Sequence, residues 1–320
     1  MPTLLLRNWL LSFRFTIRVS KIIQMKLTLM QKINSILISL LLTAFNCSTS
    51  TFSEGGADPK PKVIGTYGSP PHTKGGTILY DTLISQLKDL HCNTYNWLIM
   101  PDTNSFKQFK EFLPLAKKNG IDVWATLIPP TELEGKSEQY VTNDMRTWAA
   151  DLAQLSLANS NFKAWSIDDF VHNLKTYTPP YVKEFQDAAK KINPAFKFYP
   201  VCYYKFINQK FADDYRKIID GIVFPYRNES SSKADLNNYS HIGNEIKTLR
   251  DYFGNSFPIF VDVYSSPHST LGNPTAEFIS NVIQSGIQNA DGIIIYRHPS
   301  PKYDAEKYKT VKAAIIKDVQ

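Results

Sequence analysis

Cysteine is scarce in this chain. Three occur in 320 residues, and one of them, Cys47, sits just after a leader-like apolar stretch. Cys92 and Cys202 are too few for a disulfide framework and show no zinc-ligand spacing. Buried free thiols are the expected state, with a single disulfide as the alternative. Glycine is sparse too, with 14 residues, and no G-x-G-x-x-G follows the first β-rich run. The chain there reads Gly65-Thr66-Tyr67-Gly68-Ser69-Pro70-Pro71. A dinucleotide site needs that glycine pattern to bring backbone N–H groups against phosphate, and a helix to start on the turn. The proline pair blocks such a start. His-Glu-x-x-His is missing, and so is a His-x-His on the first strand, the usual opening of a barrel metallohydrolase. No cofactor and no metal is therefore expected. The leader's apolar run, residues 36–45, has ten residues, against the ~20 that span a bilayer as a helix.

The formal charge of +7 would ordinarily suggest nucleic acid or an anionic membrane as partner. It belongs to the N-terminal segment. Residues 1–46 hold six basic side chains (Arg7, Arg14, Arg18, Lys21, Lys26, Lys32) and no acidic one; the rest holds 30 basic against 29 acidic. Nucleic-acid binding is not expected. Lys32, the apolar run, and then Asn46-Cys47-Ser48-Thr49-Ser50 read as an export signal. Met25 or Met30 would open a signal of more ordinary length. Cys47 resembles the acceptor of a bacterial lipoprotein signal, which implies a lipid anchor; simple secretion and a retained membrane anchor are the alternatives. Residues 47–61 are polar with Gly and Pro, as suits a flexible tether.

Past residue 61 the pattern is regular. Strands are expected at 62–67, 94–100, 122–127, 162–168, 197–203, 221–226, 258–264 and 292–296. Helical patterns fill the intervals, at 78–90, 105–119, 143–158, 180–192, 212–219, 242–253, 276–288 and 305–317. Gly120, Asn193-Pro194 and Gly254 punctuate helix ends, and Thr275 can cap the seventh helix. Strict βα alternation with near-continuously apolar strands predicts an α/β fold, a single-domain (β/α)8 TIM barrel over 62–320. A doubly wound open sheet is the runner-up.

A barrel of this kind carries its chemistry at the C-terminal strand ends. In strand order the candidates are Tyr67 and His72; Trp97 and Asp102; Pro129 and Pro130; Asp168, Asp169, His172 and Asn173; Tyr203, Tyr204 and Lys205; Tyr226, Arg227, Asn228 and Glu229; Asp262, Tyr264 and His268; Tyr296, Arg297 and His298. The fourth strand stands out, because Trp165-Ser166-Ile167-Asp168-Asp169-Phe170 ends an apolar run on two adjacent carboxylates. Like charges side by side raise one pKa, and a carboxyl kept protonated near neutrality can act as an acid. Asp262 is the other misfit, a lone carboxylate inside Ile259-Phe260-Val261-Asp262-Val263-Tyr264. Aromatic rings suit sugar faces, Asp, Asn and Arg suit sugar hydroxyls, and glycosidic cleavage uses paired carboxyls. The set points to carbohydrate, with Asp168 and Asp169 catalytic and Tyr67, Trp97, Tyr203, Tyr226, Arg227, Asp262, Tyr264, Tyr296 and Arg297 substrate-binding. The plainer alternatives are a barrel plug for each Tyr and ion pairing for the arginines.

The stretch from the fourth to the seventh strand resembles glycoside hydrolase family 84, the β-N-acetylglucosaminidases. The carriers are the Asp168-Asp169 ending, the fifth strand Phe196-Lys197-Phe198-Tyr199-Pro200-Val201-Cys202-Tyr203, and Asp262. The resemblance implies substrate-assisted catalysis: Asp168 would orient a 2-acetamido group, Asp169 would be general acid and then base, and Tyr203 a helper. The chain departs from the family pattern at Phe170 and at Val263-Tyr264-Ser265-Ser266. Two other readings stay open, a non-catalytic carbohydrate-binding surface lipoprotein and a metal-dependent hydrolase.

Overall fold

The computed structural model describes residues 62–101, 103–129, 132 and 144–319. The expected leader and tether with Cys47, and the candidates Asp102 and Pro130, lie outside them. Strands and helices alternate throughout: β1 (Val63–Gly68), α1 (Tyr80–Asp89), β2 (Thr94–Ile99), α2 (Thr103–Lys118), β3 (Asp122–Leu127), α3 (Met145–Ala158), β4 (Phe162–Ile167), α4 (Pro179–Ile192), β5 (Lys197–Phe198), α5 (Gln209–Tyr215), β6 (Ile222–Pro225), α6 (Ile242–Phe253), β7 (Ile259–Tyr264), α7 (Ala276–Asn289), β8 (Gly292–Tyr296) and α8 (Ala305–Val319). Local chemistry sets the helix ends. The Thr275 hydroxyl accepts from Phe278 N–H at 3.1 Å and starts α7, and Gly254, at φ 96°, ends α6.

The strands are parallel and run in the order β5-β4-β3-β2-β1-β8-β7-β6. The fifth strand was expected to extend to residue 203, but its regular ladder ends at Phe198. The chain continues beside β4 through Tyr199 N–H to Trp165 O and Val201 N–H to Ile167 O. On its other edge Pro200 offers a carbonyl, which takes Val223 N–H at 3.0 Å, but has no N–H to return. A parallel bridge between Val201 and Val223 closes the circle there. The result is the (β/α)8 barrel.

Period-two alternation sorts each strand's side chains between the barrel interior and the helix layer. Trp124, Tyr199 and Phe260 fill the interior, with ring centres 4.9 to 5.0 Å apart. Thr126 donates to Asn96 Oδ1 inside the barrel. Outside, Trp97 packs on Phe109 and Phe112 of α2, and Trp165 on Phe185 of α4. Cys92 and Cys202 are free and buried, and burial pushes the Cys92 thiol up to about 12.

Closure between β1 and β8 depends on Gly292, where an added Cβ would lie 2.1 Å from the Val63 carbonyl oxygen. Gly292→Ala should therefore cost about 2 kcal/mol through forced separation of the two strands. Urea denaturation of the variant against the parent checks this.

Candidate active site

Alternation along β4 points Ala164, Ser166 and Asp168 inward and would send Asp169 out toward the helices. Asp169 escapes because the strand stops at Ile167 and Asp169 adopts a left-handed conformation, φ 43°, ψ 33°. Asp tolerates this region better than most residues, at a cost of about 1 kcal/mol. Three hydrogen bonds hold it. Its N–H donates to Asp168 Oδ1 at 3.0 Å, and its carbonyl accepts from His172 N–H at 3.0 Å and from Asn173 Nδ2 at 2.9 Å. Both carboxylates thus face the mouth. Tyr67 donates to Asp168 Oδ2 at 2.8 Å, and Tyr203 to Asp169 Oδ1 at 2.5 Å.

Asp168 is partly buried, and its carboxyl is pushed up to about 6, first by desolvation and then by the Asp169 charge. Asp262, inward on β7, lies well above the usual carboxylate range through burial and the charge of Asp168. Among the described residues its Oδ1 has no hydrogen-bond partner, and neither has Ser166 Oγ. A third carboxyl joins the pair from the loop after β3. Glu132 is pushed up to about 8 by partial burial, by the Asp169 charge and a hydrogen bond to Asp169, and by Asp168. The shift favours the protonated form of Glu132, which shares a hydrogen bond with Asp169. Sequence reading missed it, because a Glu in a polar loop has no pattern to distinguish it.

Three tyrosines wall the mouth. Tyr296 has its ring centre 5.8 Å from that of Tyr67 and 4.8 Å from that of Tyr264. Beside Asp168, a cavity of about 460 Å³ is lined by Tyr67, Leu98, Met100, Glu132, Tyr296 and Arg297, among others. Its size suits a sugar ring. Arg297, exposed on the rim, is also left-handed, at φ 57°.

Two charged or titratable groups pack on Tyr203. The Arg227 guanidinium lies 3.8 Å from its ring centre, and the His172 ring stacks at 4.8 Å and 19°. Arg227 is paired with Glu229, which is almost wholly buried and also accepts from Lys205 N–H. Arg227 thus acts on the site through Tyr203, a cation on a ring face, rather than as an open donor. His172 Nδ1 lies 3.5 Å from Asp169 Oδ1. His268 stands edge-on to Tyr264, and burial together with Arg227 and Arg297 lowers its pKa.

Other candidates are placed elsewhere. Trp97, expected to bind substrate, is one residue out of phase: Asn96 pairs with inward Tyr67, so Trp97 faces α2. Tyr226, likewise expected at the site, faces outward, stacks on Phe278 of α7 and donates to Asn238 O. His298 is hydrogen bonded to Thr66 and Gln86 behind β1, and burial lowers it to about 4, so it serves as a neutral strut. Asn228 ties Asp235 to His241 within the β6–α6 loop, and His72 meets Pro70 O. Tyr204 approaches Phe224. Among the described residues, no group of three or more His, Cys, Asp or Glu side chains is arranged to hold a metal ion.

A carboxyl whose folded-state pKa is raised binds protons more tightly in the native state, so stability falls as pH rises through the shift. For Asp168 the window runs from about 4, the unfolded value, to about 6. Above it the ionised group costs up to about 3 kcal/mol. Asp168→Asn should therefore raise the melting temperature at pH 7.5 and leave it nearly unchanged at pH 4. A thermal scan at both values tests this.

No family model matches the sequence, and no curated protein matches it. Solved structures do share the fold. A chitinase from Bacteroides thetaiotaomicron superimposes with a TM-score of 0.55 at 10% identity, over 81% of this chain and 98% of that one. The endo-β-1,4-mannanase of Thermotoga petrophila gives 0.54 at 12%, over 82% and 77%. A GH2 β-galacturonidase from Eisenbergiella tayi gives 0.51 at 12%, over 79% of this chain and 51% of that one, so the chain spans about half the length of that enzyme. At such identities the likeness is one of fold: this chain has the (β/α)8 barrel found in these glycoside hydrolases.

Proposed function

We propose that the protein is a glycoside hydrolase in which Asp169 is the general acid and base and Asp168 the carboxylate that orients the substrate. The observation that carries this is the left-handed turn at Asp169, which sets two consecutive carboxyls into one mouth in different surroundings. Asp168 is enclosed beside the cavity and fixed by Tyr67. Asp169, partly exposed, is bonded by Tyr203 and within reach of Glu132. The barrel of the chitinase and the mannanase supports the reaction class.

The chemistry follows the substrate-assisted course that the resemblance to family 84 implies. Asp168, as an anion, accepts the N–H of a 2-acetamido group and turns its carbonyl oxygen toward the anomeric carbon. That oxygen forms a bond to the carbon as the glycosidic C–O bond breaks, and Asp169 passes to the departing oxygen a proton drawn through its hydrogen bond with Glu132. Asp169, now an anion, takes a proton from water, which opens the cyclic intermediate and restores the acetamido group. Tyr203 steadies Asp169, and the tyrosine wall offers faces to the ring. The leader reading accompanies this proposal: the enzyme is exported and held at a membrane through lipidated Cys47, acting on glycans outside the cytoplasm.

Asp169→Asn should lower kcat on 4-nitrophenyl N-acetyl-β-glucosaminide at least 100-fold, the usual worth of general acid–base catalysis. The rate should fall below pH about 6, where Asp168 takes up its proton, and that limb should vanish in Asp168→Asn along with most activity. Hydrolysis of glycosides that persists undiminished in Asp169→Asn would sink the assignment.

A further inference from the structure

We propose that Phe206 and His172 form a binding site for a sugar on the leaving-group side of the cleaved bond, so that the substrate is a glycan chain. This rests on the hydrolase reading above and names the class of substrate it serves. The carboxyl pair divides the mouth. Asp168 lines the cavity, whereas Asp169 faces Tyr203 and His172. The sugar whose anomeric carbon reacts enters the cavity. The departing oxygen must lie against Asp169, which gives it a proton, so the rest of the leaving group extends over the His172 side.

That side presents an aromatic surface. Phe206 is one of the exposed large apolar side chains among the described residues, 37% exposed. Its ring and the His172 ring are near-perpendicular, 4.9 Å apart at 78°, so the two are not stacked face to face. His172 Nδ1 is in turn 3.5 Å from Asp169 Oδ1. A single imidazole thus links the proton donor to the exposed ring.

The platform is also held in place. Tyr204–Phe206 forms a short 3-10 turn, with Phe206 N–H on Tyr203 O and Lys205 N–H on the buried Glu229. Lys205 Nζ lies over the Phe206 ring, 5.1 Å from its centre, and supplies a donor for hydroxyls of a sugar seated beside it. A pyranose has the matching form, with axial C–H groups on one face and hydroxyls around the rim. Water gains nothing from such a ring, whereas a sugar face loses its hydration there and gains contact.

The test uses full-length protein carrying Asp169→Asn, which prevents turnover during titration calorimetry. Chito-, manno-, xylo- and gluco-oligosaccharides of two to four units are the probes, beside the matching monosaccharides. The expected result is that at least one oligosaccharide binds more tightly than its monosaccharide. Adding Phe206→Ala should then weaken the oligosaccharide about 10-fold and leave the monosaccharide unchanged, with Phe206→Trp restoring the loss. Oligosaccharide affinity indifferent to Phe206→Ala overturns the site, as does the absence of any binding across the panel. If the unsubstituted enzyme hydrolyses nothing while oligosaccharide affinity still depends on Phe206, the hydrolase reading falls and the binding site stands. If it hydrolyses these chains with Phe206 irrelevant, the hydrolase reading stands and this site falls.

Discussion

The left-handed turn at Asp169 is the constraint on which the site depends. A strand sends consecutive side chains to opposite faces, so two adjacent aspartates can share a pocket only where the strand pattern breaks. Here it breaks one residue after Asp168, and three hydrogen bonds to the Asp169 backbone stabilise the break. The other groups are arranged around that turn. Tyr67 reaches across from β1 to Asp168, and Tyr203 from the end of the fifth strand to Asp169. Arg227 and His172 pack on Tyr203, and Glu229 holds Arg227. Asn228 and Arg297 show the same left-handed excursion past β6 and β8, so three strand ends at this face carry it. His91, before β2, is the other non-Gly residue of positive φ among the described residues, so these excursions gather at the end where barrels of this class carry their sites.

Electrostatics at the mouth works against stability. Asp168, Asp262 and Glu132 are all raised, in each case with burial as the first cause and a neighbouring carboxylate adding to it. Nearby cations are largely engaged elsewhere: Arg227 with Glu229, and Lys205 over Phe206. Desolvated like charges are what an acid-catalytic site needs, because they keep a proton available near neutrality. They are also a cost, which the barrel offsets through its apolar layers, including the Trp124, Tyr199 and Phe260 packing below the mouth.

Parity explains which candidates converge. Tyr67, Tyr203, Asp262, Tyr264 and Tyr296 sit on inward phases of their strands and meet at the mouth, while Trp97 and Tyr226 are one residue out of phase and pack under helices. Strand-end position is readable from a hydrophobic run, but phase is not when both faces are apolar. A parallel barrel strand is buried on both sides, so its sequence lacks the alternation that would reveal which residues point in. Glu132 was invisible for a different reason: its raised pKa comes from burial and then from Asp169 and Asp168, which are distant in the chain.

The sequence by itself determined the order of strands and helices, the barrel they form, and the one strand that ends on paired carboxylates. Those are local properties, set by apolar spacing, by capping residues such as Thr275 and Gly254, and by the mismatch of Asp-Asp with an apolar run. The fifth strand loses a donor at Pro200, a shortening evident only beside β6. The tertiary structure alone decided the direction of Asp169, the assignment of Tyr67 to Asp168 and Tyr203 to Asp169, the placing of Arg227 on a ring face, and the arrival of Glu132. The Asp169 turn is held by its near neighbours Asp168, His172 and Asn173, and the others are contacts between residues far apart in sequence. In a closed barrel, hydrogen-bond register around the whole circle fixes which strand ends face one another, and no single strand carries that information.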